Sequence, residues 1–278
     1  FLATGETASV VINYTVTDDD GTPQTDNSTL TITVTGSNDR PVISDITSSA
    51  SLTEADGAAQ LTANGDITWS DRDSNGSLTL TPTYNGDIAW SAGDITQPLN
   101  ADQIIALTSA GDGKAFSITG VGQDGWQYSA AQNLDFLRQG ETITFSFNVV
   151  ATDDASQANS DSTAQTVTIT VTGTNDRPEI SAITESASLT EADDAAQLTA
   201  TGDITWTDLD IKDAVTLSPS YNGDIAWSAG DINAQLSQEQ LTALTTNAFS
   251  ITGGAQDGWQ YAAAQNLDFL REGETITL

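Results

Sequence analysis

Two stretches of the chain alternate strictly between apolar residues and threonine: Thr29 to Thr35 reads TLTITVT, and Thr166 to Thr172 reads TVTITVT. A period of two sends successive side chains to opposite faces, which predicts half-buried strands, each the last of its unit. Just upstream of the second, Phe145, Phe147, Val149 and Ala151 alternate with Ser146, Asn148 and Val150. Val10, Ile12, Tyr14 and Val16 hold the matching places earlier in the chain. A strand hairpin therefore closes each unit, and its loop carries Asp18-Asp19-Asp20 or Asp153-Asp154.

Shorter β-type runs precede the hairpin: Asp66 to Trp69, Leu78 to Tyr84, Asp87 to Trp90, Phe116 to Thr119 and Trp126 to Tyr128. Asn-Gly, Asp-Gly and Ala-Gly turn signals separate them. Many short strands with regular turns predict an all-β chain folded as β-sandwiches of about seven strands each. Two places break the pattern. Ser237 to Gln240 reads as a capping box followed by Leu241 and Leu244 at helical spacing, which predicts a helical turn or two there and at Asn100 to Leu107. Ser129 to Leu137 is expected to form a second, shorter one.

The pattern is written more than once. YNGDIAWSAGDI runs from Tyr84 to Ile95 and again from Tyr221 to Ile232, and Asn38-Asp39-Arg40-Pro41 returns as Asn175-Asp176-Arg177-Pro178, a period of 137 residues. Later in the unit the period shortens by four through a deletion near Gly111 to Lys114. A third copy is visible at the start, where FLATGETASVVINYTVTDD corresponds to FLRQGETITFSFNVVATDD from Phe136. Residues 1–39 are read as the end of one repeat, 40–176 as a complete repeat, and 177–278 as a third lacking its last strands. A repeat of this length is an array of domains, each large enough to bury its own core. Trp69, Trp90 and Trp126 recur as Trp206, Trp227 and Trp259. An exposed set would make a sugar-binding platform; their place inside predicted strands points to core packing.

Charge narrows the function. Aspartate and glutamate number 39 against 7 lysines and arginines, a net charge of −32. That sign repels nucleic acid and anionic lipid, leaving solubility, salt adaptation or bound cations as its uses. Cysteine and histidine are absent, which removes disulfides, thiol nucleophiles and zinc sites built on either residue. Paired carboxylates could in principle act as in a glycosidase, but no histidine is present to serve as base, and the chain is read as no enzyme. No signal peptide and no apolar run of transmembrane length is seen.

The run GWQYSAAQNLDFLRQGETITFSFNVVATDD, continuing to TVTITVTGTNDRP at Pro178, resembles the VCBS repeats of giant bacterial surface proteins. The marks are Gly125-Trp126 with Tyr128, Gly140-Glu141, Asp153 and Asp154, and Gly173-Thr174-Asn175-Asp176. The same residues resemble the cadherin-like plan, in which an acidic linker joins successive sandwiches and binds calcium. Arg177 stands where a cadherin linker has its second asparagine, and Arg138-Gln139-Gly140-Glu141 is only loosely similar to a cadherin-type Asp-Arg-Glu. The resemblance implies tandem Ig-like or cadherin-like Greek-key sandwiches. It also implies a long RTX-type adhesin exported by a type I route, held outside the cell at the bacterial surface, and working in attachment or biofilm formation.

Strand direction predicts where the acids gather. If the last strand runs down into the linker, the strand before it runs up, and top-of-unit acids face the preceding linker. The first junction then collects Glu6 from above, Asn38 and Asp39 from the linker, and Asp71, Asp73, Asp153 and Asp154 from below. The second collects Glu54, Glu141, Asn175, Asp176, Asp208 and Asp210. Calcium takes six to eight oxygen ligands, carboxylates among them, so Ca2+ is the expected ion. The expected role is a spacer rigidified by calcium at its linkers. Its partners are then neighbouring repeats of the same chain, and a host or surface ligand is gripped by other domains. A carbohydrate- or protein-binding module using exposed tryptophan or tyrosine is the alternative, discriminated by the exposure of Trp90 and Trp227.

Overall fold

The computed structural model describes residues 1–73, 78–153 and 158–278, and the chain divides into two compact units, Phe1–Asn175 and Asp176–Leu278. The first unit begins with a long hairpin of β1 (Thr7–Thr17) and β2 (Thr25–Thr35). It continues through β3 (Val42–Ile46), β4 (Ser49–Thr53), β5 (Gln60–Ser70), β6 (Thr79–Tyr84) and β7 (Ala89–Trp90). Helix α1 (Ala101–Thr108) follows, then β8 (Phe116–Thr119), β9 (Gly125–Ala131), β10 (Thr142–Thr152) and β11 (Gln165–Thr172).

The strands from β3 onward form two sheets. One has the order β3-β5-β9-β8; the other has the order β4-β11-β10-β6, with β7 also paired to β10. All pairings are antiparallel except β4 with β11. The first strand of the complete repeat is split, β3 and β4 belonging to different sheets, as a strand does when it crosses from one layer of a sandwich to the other.

Aromatic side chains fill the space between the layers. Phe116 stacks on Trp126 at 5.3 Å and on Phe147 of the opposite sheet at 4.4 Å, and Tyr128 meets Phe145 at 5.6 Å. All five are fully buried. The inward residues of the alternating strand β10 (Ile143, Phe145, Phe147, Val149, Ala151) and those of β11 (Val167, Ile169, Val171) are also fully buried, which is what their period of two demands. The Trp126 indole donates to the Thr47 carbonyl at 3.0 Å, and the Tyr128 hydroxyl donates to the Leu107 carbonyl at the end of α1. Trp90 and Trp126 are buried and Trp69 is half-buried, so no exposed indole platform is seen among the described residues of the complete unit.

The capping logic holds at both helices. Asn100 caps α1 and exchanges hydrogen bonds with Gln103, and Ser237 does the same with Gln240. The segment Ser129 to Leu137, expected to be helical, is not. Its first residues complete β9 and the rest are turns. Asn133 accepts from the Asp135 N–H, and Asp135 in turn takes the Gly57 N–H at 2.8 Å. Side-chain bonds to backbone at Asn133 and Asp135 compete with a helix.

The second unit repeats half of this plan with β12 (Glu179–Ile183), β13 (Gln197–Thr207), β14 (Ala226–Trp227), α2 (Gln238–Leu244), β15 (Phe249–Thr252), β16 (Gly258–Ala264) and β17 (Ile276–Thr277). Its main sheet has the order β12-β13-β16-β15, and β14 pairs with β17. Trp259 is buried and donates to the Thr184 carbonyl, as Trp126 does to Thr47. Among the described residues no helix is long and apolar enough to cross a membrane.

Candidate metal centre at the linkers

Three carboxylates converge beside the first linker. Asp71 and Asp73 follow the end of β5, and Asp153 follows the end of β10. Each offers an oxygen within 4.8 Å of the other two. Local bonds fix two of them: the Asp73 N–H donates to Asp71 Oδ1 at 3.0 Å, and the Asp39 N–H donates to Asp73 Oδ2 at 2.9 Å. Asn38 Nδ2 donates to Asp153 Oδ2 at 2.9 Å and reaches the Asn159 carbonyl at 3.3 Å. The linker therefore donates to the top of the sandwich, whose Asp73 and Asp153 carboxylates accept.

The second oxygen of each carboxylate is buried without a hydrogen-bond partner: Asp71 Oδ2, Asp73 Oδ1 and Asp153 Oδ1. Buried unpaired acceptors are costly, and three of like charge in one place cost more. A hard divalent cation removes both costs, since it is bound by anionic and neutral oxygens. The residues present fit calcium, with three carboxylates supplying charge and the Asn38 side chain and linker backbone close by.

The opposite end of the sandwich is built differently. Glu54, after β4, is 4% exposed, and its Oε1 accepts both the N–H (2.7 Å) and the hydroxyl of Thr174. Its Oε2 is buried without a hydrogen bond. Glu141 is committed elsewhere: Oε1 takes Arg138 Nε at 2.8 Å and Nη2 at 2.7 Å, and Oε2 takes the Trp90 indole N–H at 3.1 Å. Arg271 and Glu274 repeat the two residues in the third copy, whereas Ala3 stands at the place of Arg138 in the first. Gly173 lies so close to this turn that a Cβ would stand 2.5 Å from the Leu137 and Arg138 carbonyls, and Gly36 is equally tight against Leu2 and Ala3. Only glycine lets the linker leave the sandwich along this path.

In the second unit the Asp210 N–H donates to Asp208 Oδ1 at 3.1 Å, and the Asp176 N–H donates to Asp210 Oδ2 at 3.0 Å. These are the two bonds of the first linker, repeated one period later. Asp176 and Asp210 are buried, and Asn175 is exposed. Of the remaining expected ligands, Glu6 is half-buried and accepts the Ala3 N–H at 2.9 Å, while Asp154 lies outside the described residues. Thr174 was missed, although a hydroxyl recurs there as Ser37 in the first linker.

No family model and no curated protein matches the chain. Solved structures that it is similar to include the CFA/I adhesin CfaE of enterotoxigenic E. coli (TM-score 0.34, 13% identity, covering 61% of this chain and 58% of that one). Drosophila N-cadherin EC1-4 is another (TM-score 0.30, 11% identity, 94% and 51%). A third is the sialic acid binding region of a Streptococcus sanguinis adhesin (TM-score 0.28, 16% identity, 58% and 37%). The chain spans about half the length, or less, of the last two.

Proposed function

We propose that these units are the extender region of a bacterial cell-surface adhesin, and that calcium bound at the linkers stiffens the array. The observation that carries the reading is the set of three buried, unpartnered carboxylate oxygens of Asp71, Asp73 and Asp153, set against a linker that is hydrogen-bonded to two of these residues. Without a cation their repulsion loosens the hold on Asn38 and Asp39. With calcium the carboxylates are drawn together, and the linker is fixed because its own donors hold the ligands.

The repeat of the Asp208–Asp210–Asp176 bonds supports the same use of the next linker. Asp176, Asp208 and Asp210 are the ligands this reading assigns there, and at the end of the first unit Glu141 acts through Arg138 as a brace. The VCBS-like motifs support an RTX-type protein exported by a type I route, standing outside the cell and projecting a gripping domain toward a host or surface ligand. This region performs no catalysis in that account. Its partners are the neighbouring repeats, and it makes no contact with nucleic acid or membrane.

Small-angle scattering in chelator and in saturating calcium tests the proposal. A longer maximum dimension and a narrower distance distribution are expected in calcium. The same end-to-end length in both conditions would refute it.

A further inference from the structure

The turn that carries Asp71 and Asp73 is held on both sides by a single loop, residues 120–124 between β8 and β9. Ahead of the turn, the Ile67 N–H donates to the Asp124 carbonyl at 2.8 Å, and the Trp69 indole N–H donates to the Gly122 carbonyl at 3.1 Å. Beyond it, Gln123 Oε1 accepts the Leu80 N–H at 2.6 Å, and Gln123 Nε2 donates to the Leu78 carbonyl at 2.8 Å. β5 and β6 belong to different sheets, so the Gln123 side chain ties the two layers together where the chain passes between them with its two aspartates.

The second unit repeats this grip. The Ile204 N–H donates to the Asp257 carbonyl at 2.9 Å, and Gln256 accepts the Leu217 N–H and donates to the Val215 carbonyl, both at 2.8 Å. The path from acid to clamp is short there: the Asp213 N–H donates to the Asp210 carbonyl at 3.0 Å, and Val215 follows two residues later. Neither glutamine has an easy backbone. φ is +53° at Gln123 and +55° at Gln256, a left-handed conformation that asparagine and glycine adopt more readily. An unfavourable backbone at the same place in two repeats points to a task that needs the longer amide.

We propose that Gln123 and Gln256 are positioning residues for calcium. Each fixes the exit of its acidic turn, so that Asp71 and Asp73, or Asp208 and Asp210, are held in place before the ion arrives. Each acts through the main chain. The inference rests on the calcium reading of the linkers. A turn held on one side only must be ordered as the ion binds, and that ordering weakens binding; a turn already clamped avoids the loss.

Isothermal titration of calcium into the full chain tests the role, with the wild type beside Gln123→Asn, Gln256→Asn and Gln60→Ala. Asparagine suits a positive φ but is one methylene shorter, so the fold is kept while the clamp is lost. Gln123→Asn should weaken one class of calcium sites by about tenfold, and Gln256→Asn the other. Gln123→Gly, free of backbone strain, should show the same loss as Gln123→Asn. Gln60, at the start of β5, donates to Ser129 Oγ at 3.0 Å, and its replacement should leave both affinities unchanged. In calorimetry the calcium-induced rise in Tm should shrink in Gln123→Asn, whereas a residue that only braced the fold would lower Tm equally with and without calcium. Wild-type affinities in Gln123→Asn, or an equal loss of Tm in both conditions, would overturn the positioning role alone. A wild type that takes up no calcium would overturn the calcium reading and the role with it.

Discussion

Asp153→Asn should reverse the order of stability between chelator and calcium. The facing oxygens of Asp71, Asp73 and Asp153 lie within 4.8 Å of one another. At that distance two unit charges repel by about 0.9 kcal/mol in bulk water and about 3.5 kcal/mol at an effective dielectric of about 20. The substitution removes two of the three repulsive pairs and keeps an oxygen to accept from Asn38 Nδ2. Asp71 and Asp153 are only half-buried as residues, although their facing oxygens are covered, which keeps the sum near the low end, about 2 kcal/mol in favour of the variant. For a unit of this size that is a rise of about 4–8 °C in Tm in chelator.

Calcium acts in the other direction. At about a thousand times its Kd, an ion bound only by the folded state adds about 4.1 kcal/mol to the wild type, or about 8–16 °C. The variant, with one ligand charge lost, gains little. Calorimetry of both chains in both conditions is the assay, following the transition that calcium moves. The variant should melt above the wild type in chelator and below it in calcium. Equal calcium-induced shifts in the two chains would refute the reasoning.

Other substitutions reach the supports of this site and the core behind it. Glu54→Ala leaves the Thr174 N–H and hydroxyl without their acceptor and should cost about 1.5–3 kcal/mol by urea denaturation, with Glu54→Gln recovering part of it. Gly65→Ala would set a Cβ 2.5 Å from Thr47 Cβ and 2.6 Å from the Trp126 ring, and should destabilise the first unit by about 1–3 kcal/mol, read by tryptophan fluorescence. Burial holds the Tyr128 hydroxyl well above the ordinary tyrosine value of about 10. The folded chain then keeps a proton that the unfolded chain gives up, so stability is intact below about pH 10 and falls as pH rises past it. Tyr128→Phe should flatten that alkaline slope in the urea midpoint, and an unchanged slope would contradict it.

Much of the fold could be read from periodicity. The threonine alternation located β2 and β11, and the Ser237–Gln240 pair located α2, because both signals are local. What escaped reading depends on tertiary partners. Ser129 to Leu137 carries apolar residues at spacings a helix could use, but Asp135 is taken by the Gly57 N–H. The split of the first strand into β3 and β4 leaves no mark in its composition, since it follows from which sheet each half meets. The candidate site shows the same division. Strand direction alone brought Asp71, Asp73 and Asp153 to the linker of Asn38 and Asp39. That Glu141 spends its carboxylate on Arg138 and Trp90 depends on rotamers that no spacing encodes.

A crystal structure of the chain grown in calcium, with anomalous scattering used to locate the ion, tests the central claim most directly. The account predicts an ion about 2.3–2.6 Å from Asp71 Oδ2, Asp73 Oδ1 and Asp153 Oδ1, with Asn38 or linker backbone oxygens completing the shell. Carboxylates that remain metal-free in saturating calcium, their second oxygens bonded only to water, would contradict it.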